Sequence, residues 1–264
     1  MTTSHAMRPV AIGELVAAWY AVQRGEFQLA GGRELPATTA VTASWTPAAG
    51  DIPVLVAGCM GSTGVSTVAL LLATSAGPAR VVECAAGTVS GLAGAATAEL
   101  GPSTDGWLQG SRGLVTIQRR RDKFTAVDQV PPPPESDNAG LTVVDCPWEL
   151  TQVLASNSWL GQLAAGCARV VLVTRATMPG LRRLENYLTL LGVNRCRVVV
   201  VGGPRRWPRT LANALGPAAR QISVEGRLFT VPEDPGLARD GITTDDLPAG
   251  FLPVGRELLK GLLP

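Results

Sequence analysis

From residue 52 onward, unbroken runs of apolar residues alternate with stretches whose apolar positions recur every three to four residues. An unbroken Val/Leu run predicts a strand buried on both faces, and the longer period predicts an amphipathic helix. The predicted strands are 52–58, 79–85, 113–119, 140–147, 168–176, 196–203 and 227–234. The predicted helices are 65–76, 89–100, 154–166, 181–192, 209–216 and 253–263. This alternation predicts an α/β fold, a doubly wound, mostly parallel sheet with helices on both faces.

The first 49 residues follow a different pattern. Apolar residues at positions 12, 15, 16, 19 and 22 have helical spacing, which predicts one amphipathic helix ending near Gly25. A loop-like stretch rich in Gly, Pro and small residues follows it. We therefore predict an N-terminal helix and linker extension over 1–49 and a main domain over 50–264. We expect the helix to pack on its own domain, and a free docking helix is the alternative.

The composition excludes several classes of function. The chain has 264 residues, a net charge of +2, one histidine and five cysteines without a CxxC pair. Zinc sites, disulfide frameworks and histidine-dependent catalysis are therefore not expected. The N-terminus lacks the features of a signal peptide, and no run of about 18 apolar residues occurs that would predict a membrane span. We expect a cytoplasmic protein.

The loop after the first strand carries the clearest chemical signal. Residues 58–68 read GCMGSTGVSTV between two apolar runs. Gly61 and Gly64 provide the permissive backbone from which N–H groups cradle an anion at a helix N-terminus. The phosphate-loop pattern G-x-x-x-x-G-K-[ST] is met at Gly64 and at Ser66, and fails at Cys59 and Val65. The alternative is a strand-to-helix turn in which Ser66 or Thr67 only caps the helix.

Over residues 52–264, the order of motifs resembles the ParA/MinD-type P-loop ATPases. The shared features are a strand, a glycine-rich loop, Ser66-Thr67, an apolar helix, VVDCP (143–147) and VPED (231–234). These deviant Walker A proteins act in plasmid partition, division-site placement, pilus positioning and conjugation. The resemblance implies a P-loop NTPase-like fold for residues 50–264 and implies ATP or ADP with magnesium as ligands.

The resemblance also assigns residues. Asp145 takes the Walker B position, so Ser66 and Asp145 would hold magnesium, while Asp145 and Glu83 are the residual catalytic candidates. The implied nucleotide-binding residues are Gly61, Ser62, Thr63, Gly64, Val65, Ser66, Thr67 and Pro232.

Several family positions are replaced. The two loop lysines fall on Met60 and Val65, the second acid of the D-x-D pair on Ala85, and the adenine-reading asparagine on 202–203, which are glycines. The losses at Met60, Val65 and Ala85 fall in one catalytic constellation and favour a degenerate pseudo-ATPase. It would bind partners or act in positioning during DNA segregation or conjugative transfer, and would bind nucleotide weakly. An unidentified protein partner and a homodimer are implied. The alternative is an active ATPase in which an arginine (Arg112, Arg175 or one of 119–121) replaces the lysines.

Two basic clusters suggest nonspecific DNA as a further partner. Arginines beside aromatic residues suit phosphate contact and base stacking. The candidates are Arg119, Arg120, Arg121, Arg205, Arg206 and Arg209. A nucleotide-independent DNA-binding module is therefore a third hypothesis, and solvated charged faces are the alternative interpretation of the same residues.

Two further hypotheses are disfavoured. The closing helix at 253–263 is short and carries few basic residues, so we expect it to pack in the core rather than anchor the chain to a membrane. A dehydrogenase-type site is disfavoured because the loop lacks G-x-G-x-x-G.

Overall fold

The architecture comes from a computed structural model of the chain. It describes residues 44–103, 105–135, 140–203 and 207–263, together with the isolated positions Gly13, Ala17 and Tyr20. The chain divides into two compact units, Met1–Thr39 and Ala40–Pro264.

In the first unit, the described residues Gly13, Ala17 and Tyr20 are helical and exposed. The apolar positions on which the predicted N-terminal helix rests lie outside the described residues, so that helix and its packing stay predictions.

The second unit is built on a single sheet, which contains nine strands in the described residues. Its strand order is β3-β4-β5-β2-β6-β1-β7-β8-β9. Along this order, every pair of neighbouring strands between β5 and β9 is parallel. Strands β3, β4 and β5 pair antiparallel at one edge of the sheet. The strands are β1 Ile52–Gly58, β2 Ala79–Glu83, β3 Ala98–Pro102, β4 Leu108–Arg112, β5 Val115–Arg119, β6 Leu141–Cys146, β7 Val170–Arg175, β8 Cys196–Val201 and β9 Leu228–Val231.

Helices cover both faces of the sheet, as the unbroken Val/Leu strands require. They are α1 Val65–Ala76, α2 Leu150–Ala155, α3 Trp159–Gly166, α4 Met178–Leu191, α5 Arg209–Ala214, α6 Pro217–Val224, α7 Pro235–Asp240 and α8 Phe251–Leu259. Alternate residues of β1 divide between the two cores. Val54 and Val56 face α1 and α8, and Leu55 and Ala57 belong to the core with α2, α3, α4 and α6. The predicted doubly wound α/β fold is confirmed.

The closing helix packs where the sequence predicts. Helix α8 buries Phe251, Leu258 and Leu259 against α1. None of the helices in the described residues has the length and apolar character needed to cross a membrane.

The predicted helix over 89–100 is wrong. Its place is taken by a short 3-10 turn at Gly87–Val89, an irregular segment and strand β3. Gly91 and Gly94 disfavour a helix interior, and the Leu92 N–H donates a hydrogen bond of 3.0 Å to Glu83 instead of to a helical carbonyl.

Two further differences concern element boundaries. Strands β3 and β4 extend the predicted strand at 113–119 into an antiparallel edge. The predicted helix at 154–166 is interrupted because the Ser158 side chain caps a new helix by accepting from Gly161 N–H.

Trp45 belongs to the stretch that the sequence assigns to the extension. Its ring meets that of Trp159 edge-on, with centroids 5.5 Å apart. This part of the predicted linker therefore packs on the core of the second unit. The predicted boundary at residue 49 stays a prediction.

Candidate functional site

The loop between β1 and α1 presents free backbone donors. Helix α1 begins at Val65 after Gly64, which holds the left-handed conformation with φ of 89°. No side chain caps this helix, so the first N–H groups of α1 lack a partner within the described residues. The cap role considered for Ser66 and Thr67 is therefore not used. Unpaired donors at the positive end of a twelve-residue helix are suited to binding an anion, as predicted for this loop.

The base of the loop is closed tightly over Gly58. A Cβ added at Gly58 would lie 2.7 Å from Val65 Cγ2, 2.8 Å from Thr63 Oγ1 and 3.0 Å from the Met60 carbonyl oxygen. Ser62 is the only described non-glycine residue with a positive φ, 57°. Such a conformation costs about 1–2 kcal/mol and is typical of loops whose shape is set by function.

The two positions that the family fills with lysine are apolar. Val65 is 8% exposed, packs in the core with the rest of α1 and lines the cavity beside the loop. Met60 is only partly buried and lines the cavity beside the loop. Neither residue can neutralise charge on a phosphate held by the backbone donors.

Two acidic residues lie together at the carboxyl end of the sheet. Glu83 of β2 and Asp145 of β6 are register partners, and both are fully buried. Burial raises the pKa of the Asp145 carboxyl, the neighbouring Glu83 raises it further, and the Ser66 hydroxyl lowers it. Among the described residues, neither Asp145 oxygen has a hydrogen-bond partner of good geometry. A buried carboxylate with the Ser66 hydroxyl nearby but no hydrogen bond of good geometry is costly, so this group favours a proton or a bound cation.

Glu83 is occupied in a different way. Its Oε2 accepts from the Ser90 hydroxyl at 2.6 Å, and its Oε1 accepts from Leu92 N–H at 3.0 Å. Burial raises the pKa of Glu83, and these two hydrogen bonds oppose the rise. Glu83 therefore fixes the turn that follows β2.

That turn lies against the loop serine. A Cβ added at Gly91 would overlap Ser66 Oγ and would lie 2.8 Å from Ser66 Cβ. Gly91 and Val89 also line the cavity, and Val89 is 69% exposed at its mouth. The backbone at Gly91 thus covers one side of the Ser66 hydroxyl.

A cavity of about 540 Å³ extends from the loop toward β9 and α7. Besides the loop, its lining is mostly apolar and includes Val201, Val231, Pro232, Leu237 and Phe251. Within the described lining, the one basic side chain is Arg175 at the end of β7, and it forms an ion pair with Glu233. The cavity is large enough for a nucleotide-sized ligand.

The loop and the cavity suit some parts of a magnesium-nucleotide complex and not others. The backbone donors fit a phosphate, and the apolar lining near Pro232 fits a nucleobase. Magnesium needs few protein ligands when phosphate and water supply the rest, and Ser66 and Asp145 are the residues that would hold it. The described residues contain no cluster of three or more His, Cys, Asp or Glu side chains suited to a metal. With Gly91 against Ser66 Oγ and no lysine in the loop, the arrangement does not fit a magnesium-bound triphosphate.

Most of the arginines predicted to replace the loop lysines make contacts outside the cavity. Arg112 is buried and donates to the carbonyl oxygens of Ala95, Thr243 and Asp245. Its guanidinium therefore serves the packing of the β4 edge and lies outside the cavity lining. Arg175 is the one candidate that the structure brings to the cavity.

The predicted DNA-binding arginines are in unlike environments. Arg119 is buried and pairs with Glu99 at 2.6 Å, and Arg120 pairs with Asp122 and lies over the Trp107 ring. Arg121 and Arg209 are exposed, the latter at the start of α5. Arg205 and Arg206 lie outside the described residues. Residues 119–121 therefore do not form one exposed basic face.

Solved structures of a MinD protein and of an McdA protein share the fold of this chain. The cell division ATPase MinD of Pyrococcus furiosus aligns with a TM-score of 0.51 and 16% identity, over 80% of this chain and 99% of that chain. Apo McdA of Cyanthece aligns with a TM-score of 0.51 and 14% identity, over 81% of this chain and all of that chain. No protein-family model and no curated protein matches the sequence.

Sequence reasoning missed two parts of the site. The contact between Gly91 and Ser66 and the ion pair between Arg175 and Glu233 both join residues far apart in the chain. The only sequence signal for the first was the Gly- and Ser-rich composition after Glu83, which argues against the helix predicted there.

Proposed function

We propose that the protein is a ParA/MinD-like pseudo-ATPase. It acts in the cytoplasm as a partner-binding or positioning factor in DNA segregation or conjugative transfer. One observation carries the proposal: both lysine positions are apolar, and Val65 is packed into the core while Thr63 and Met60 close the loop over Gly58.

The missing charge removes what drives phosphoryl transfer. In a phosphate loop the lysine stabilises negative charge that builds on the transferring group, and loss of one such group costs on the order of 10²–10³ in rate. Here two cations are absent from the loop, and the Ser66 hydroxyl is partly covered by Gly91. An anion can still be held by backbone dipoles, which do not require the lysines.

The positioning role rests on the fold. MinD of Pyrococcus furiosus is a cell division ATPase, and its fold is shared over nearly its whole length. The fold is kept although the loop lacks its cations, which supports a role in binding partners rather than in hydrolysis. We propose an unidentified protein partner and a homodimer as its assemblies.

Phosphate release at saturating magnesium-ATP tests the proposal. We expect no release above the rate of a preparation of Asp145→Ala, because this variant lacks the one carboxylate placed to organise a metal. Turnover that is abolished by Asp145→Ala would overturn the pseudo-ATPase proposal.

Arg175 supports the second candidate, an active ATPase with an arginine in place of lysine, because it lines the same cavity. This candidate requires turnover that Arg175→Gln removes. Arg183→Gln is a suitable control because Arg183 is an exposed arginine that lies outside this cavity.

A further inference from the structure

We propose that the cavity binds nucleotides with one or two phosphates, without magnesium, and discriminates against triphosphates. This inference rests on the proposed function because it assumes the phosphate loop still receives a ligand. It names the class of ligand: a nucleoside mono- or diphosphate.

The charge balance of the cavity is the first argument. Each added phosphate increases the negative charge of the ligand, and this charge must be met by cations or by magnesium. In the described lining only Arg175 is basic, and its guanidinium is already paired with Glu233. Glu233 and Asp234 add negative charge to the same cavity. A ligand with fewer phosphates therefore fits this lining better.

The covered hydroxyl is the second argument. In phosphate loops the residue at the Ser66 position binds the magnesium that bridges the two terminal phosphates of a triphosphate. Gly91 lies against Ser66 Oγ, and the turn that carries Gly91 is fixed by two hydrogen bonds to Glu83. One side of the hydroxyl that would receive the metal is therefore already covered by the Gly91 backbone.

The rest of the site remains suited to a shorter ligand. The uncapped N-terminus of α1 and the left-handed Gly64 supply donors for a phosphate next to the helix. Thr63 lines the cavity, and its buried hydroxyl has no hydrogen-bond partner among the described residues, which is typical of a site completed by a ligand. The apolar walls at Val201 and Pro232 offer a surface for the base.

Titration calorimetry on the full chain tests the inference with AMP, ADP, ATP and inorganic pyrophosphate, each in EDTA and in magnesium. We expect ADP to bind, ATP to bind no more tightly than ADP, and magnesium to change the ADP dissociation constant by less than about threefold. Magnesium-ATP that binds about tenfold or more tightly than ADP would overturn the inference. Pyrophosphate that binds as tightly as ADP would also overturn it, because only the loop would then be used.

A loop variant assigns the discrimination to the missing charge. Val65→Lys restores a cation beside the terminal phosphates and is expected to shift the ratio of ADP to ATP dissociation constants about tenfold toward ATP. The apolar control Val65→Met is expected to leave that ratio unchanged. An unchanged ratio in folded Val65→Lys would contradict the inference, and where this variant does not fold, the wild-type titrations decide.

These outcomes separate the inference from the proposed function. Brisk phosphate release overturns the pseudo-ATPase proposal whatever the affinities are. Absence of binding by all four ligands overturns the inference and leaves a partner-binding role intact.

Discussion

Glu83 and Asp145 are opposed in register on neighbouring parallel strands, and their carboxyls are satisfied in unequal ways. Glu83 accepts two hydrogen bonds from the turn that follows it, at 2.6 and 3.0 Å, whereas Asp145 has no partner of good geometry among the described residues. The fold thus places an uncompensated polar group at the centre of its sheet. This arrangement predicts that the site is maintained at a cost in stability.

Asp145→Asn is expected to stabilise the protein in EDTA. Above about pH 8, where Asp145 is ionised, the change removes a buried charge that Glu83 repels, which is worth roughly 1–3 kcal/mol in the free energy of unfolding. Urea unfolding measures the difference. Asp246→Asn, which changes an exposed carboxylate, is the matched control and should leave stability within about 0.5 kcal/mol of the wild type. If Asp145→Asn instead lowers the free energy of unfolding, the Asp145 carboxylate has a partner that stabilises it.

The same carboxyl gives the stability a pH dependence. Burial and Glu83 raise the pKa of Asp145 to about 8 in the folded protein, whereas in the unfolded chain it is near its ordinary value of about 4. Between these values the folded state binds more protons than the unfolded state, so the free energy of unfolding falls as pH rises toward 8. Asp145→Asn should reduce this slope. The measurement is a set of urea curves from pH 5 to pH 8.5, and a parallel slope in the variant would contradict the expectation.

Two glycines of the loop provide a matched pair. Gly58→Ala places a methyl group within 2.7–3.0 Å of three loop atoms, so we expect a loss of about 1–3 kcal/mol in stability and a displaced loop. Gly61→Ala meets no atom within 4 Å, and stability should be retained. Thermal unfolding separates the two. Equal effects would mean that the loop is not closed over Gly58.

The ion pair at the cavity predicts opposite effects of its two members. Glu233→Gln releases Arg175, so ADP affinity should rise by about three- to tenfold at low salt. Arg175→Gln removes the cation and should lower ADP affinity by a similar factor. Both effects should shrink in high salt because the pair is partly exposed. Effects of the same sign in both variants would contradict this role of the pair.

Residues 119–121 contain a buried arginine, Arg119, and an exposed one, Arg121. Arg119→Gln breaks a buried guanidinium contact with Glu99 and should cost about 1–3 kcal/mol, whereas exposed Arg121→Gln should change stability by less than about 0.5 kcal/mol. Any salt-sensitive retention of duplex DNA should fall in Arg121→Gln and persist in folded Arg119→Gln. The reverse pattern would place the DNA contact at the buried arginine.

The parallel part of the fold follows from local sequence. Strand Ile52–Gly58 is an unbroken apolar run, strand Cys196–Val201 ends in four consecutive valines, and helix Val65–Ala76 has the predicted bounds. The edge strand Ala98–Pro102 was not predicted, because its residues are mostly exposed and carry no strand pattern of their own. Its pairing with β4 comes from tertiary structure, which overrides weak local preference.

The site was predictable only where chemistry is local. The loop and Asp145 follow from motif order, because strand ends of a parallel sheet meet at one edge. The cover that Gly91 forms over Ser66 and the pairing of Arg175 with Glu233 depend on side chains that the fold brings together from distant segments. No spacing in the sequence encodes either contact.

The position of β1 has a consequence for biogenesis. This strand pairs with β6 and with β7, so the phosphate loop is framed by segments that leave the ribosome long after it. Non-local parallel pairing of this kind folds slowly. Until residue 173 has emerged, Cys59 N–H lacks the Val173 carbonyl that accepts its hydrogen bond in the folded protein, and β1 lacks its pairing with β7. An exposed apolar strand of this kind is prone to aggregate during translation.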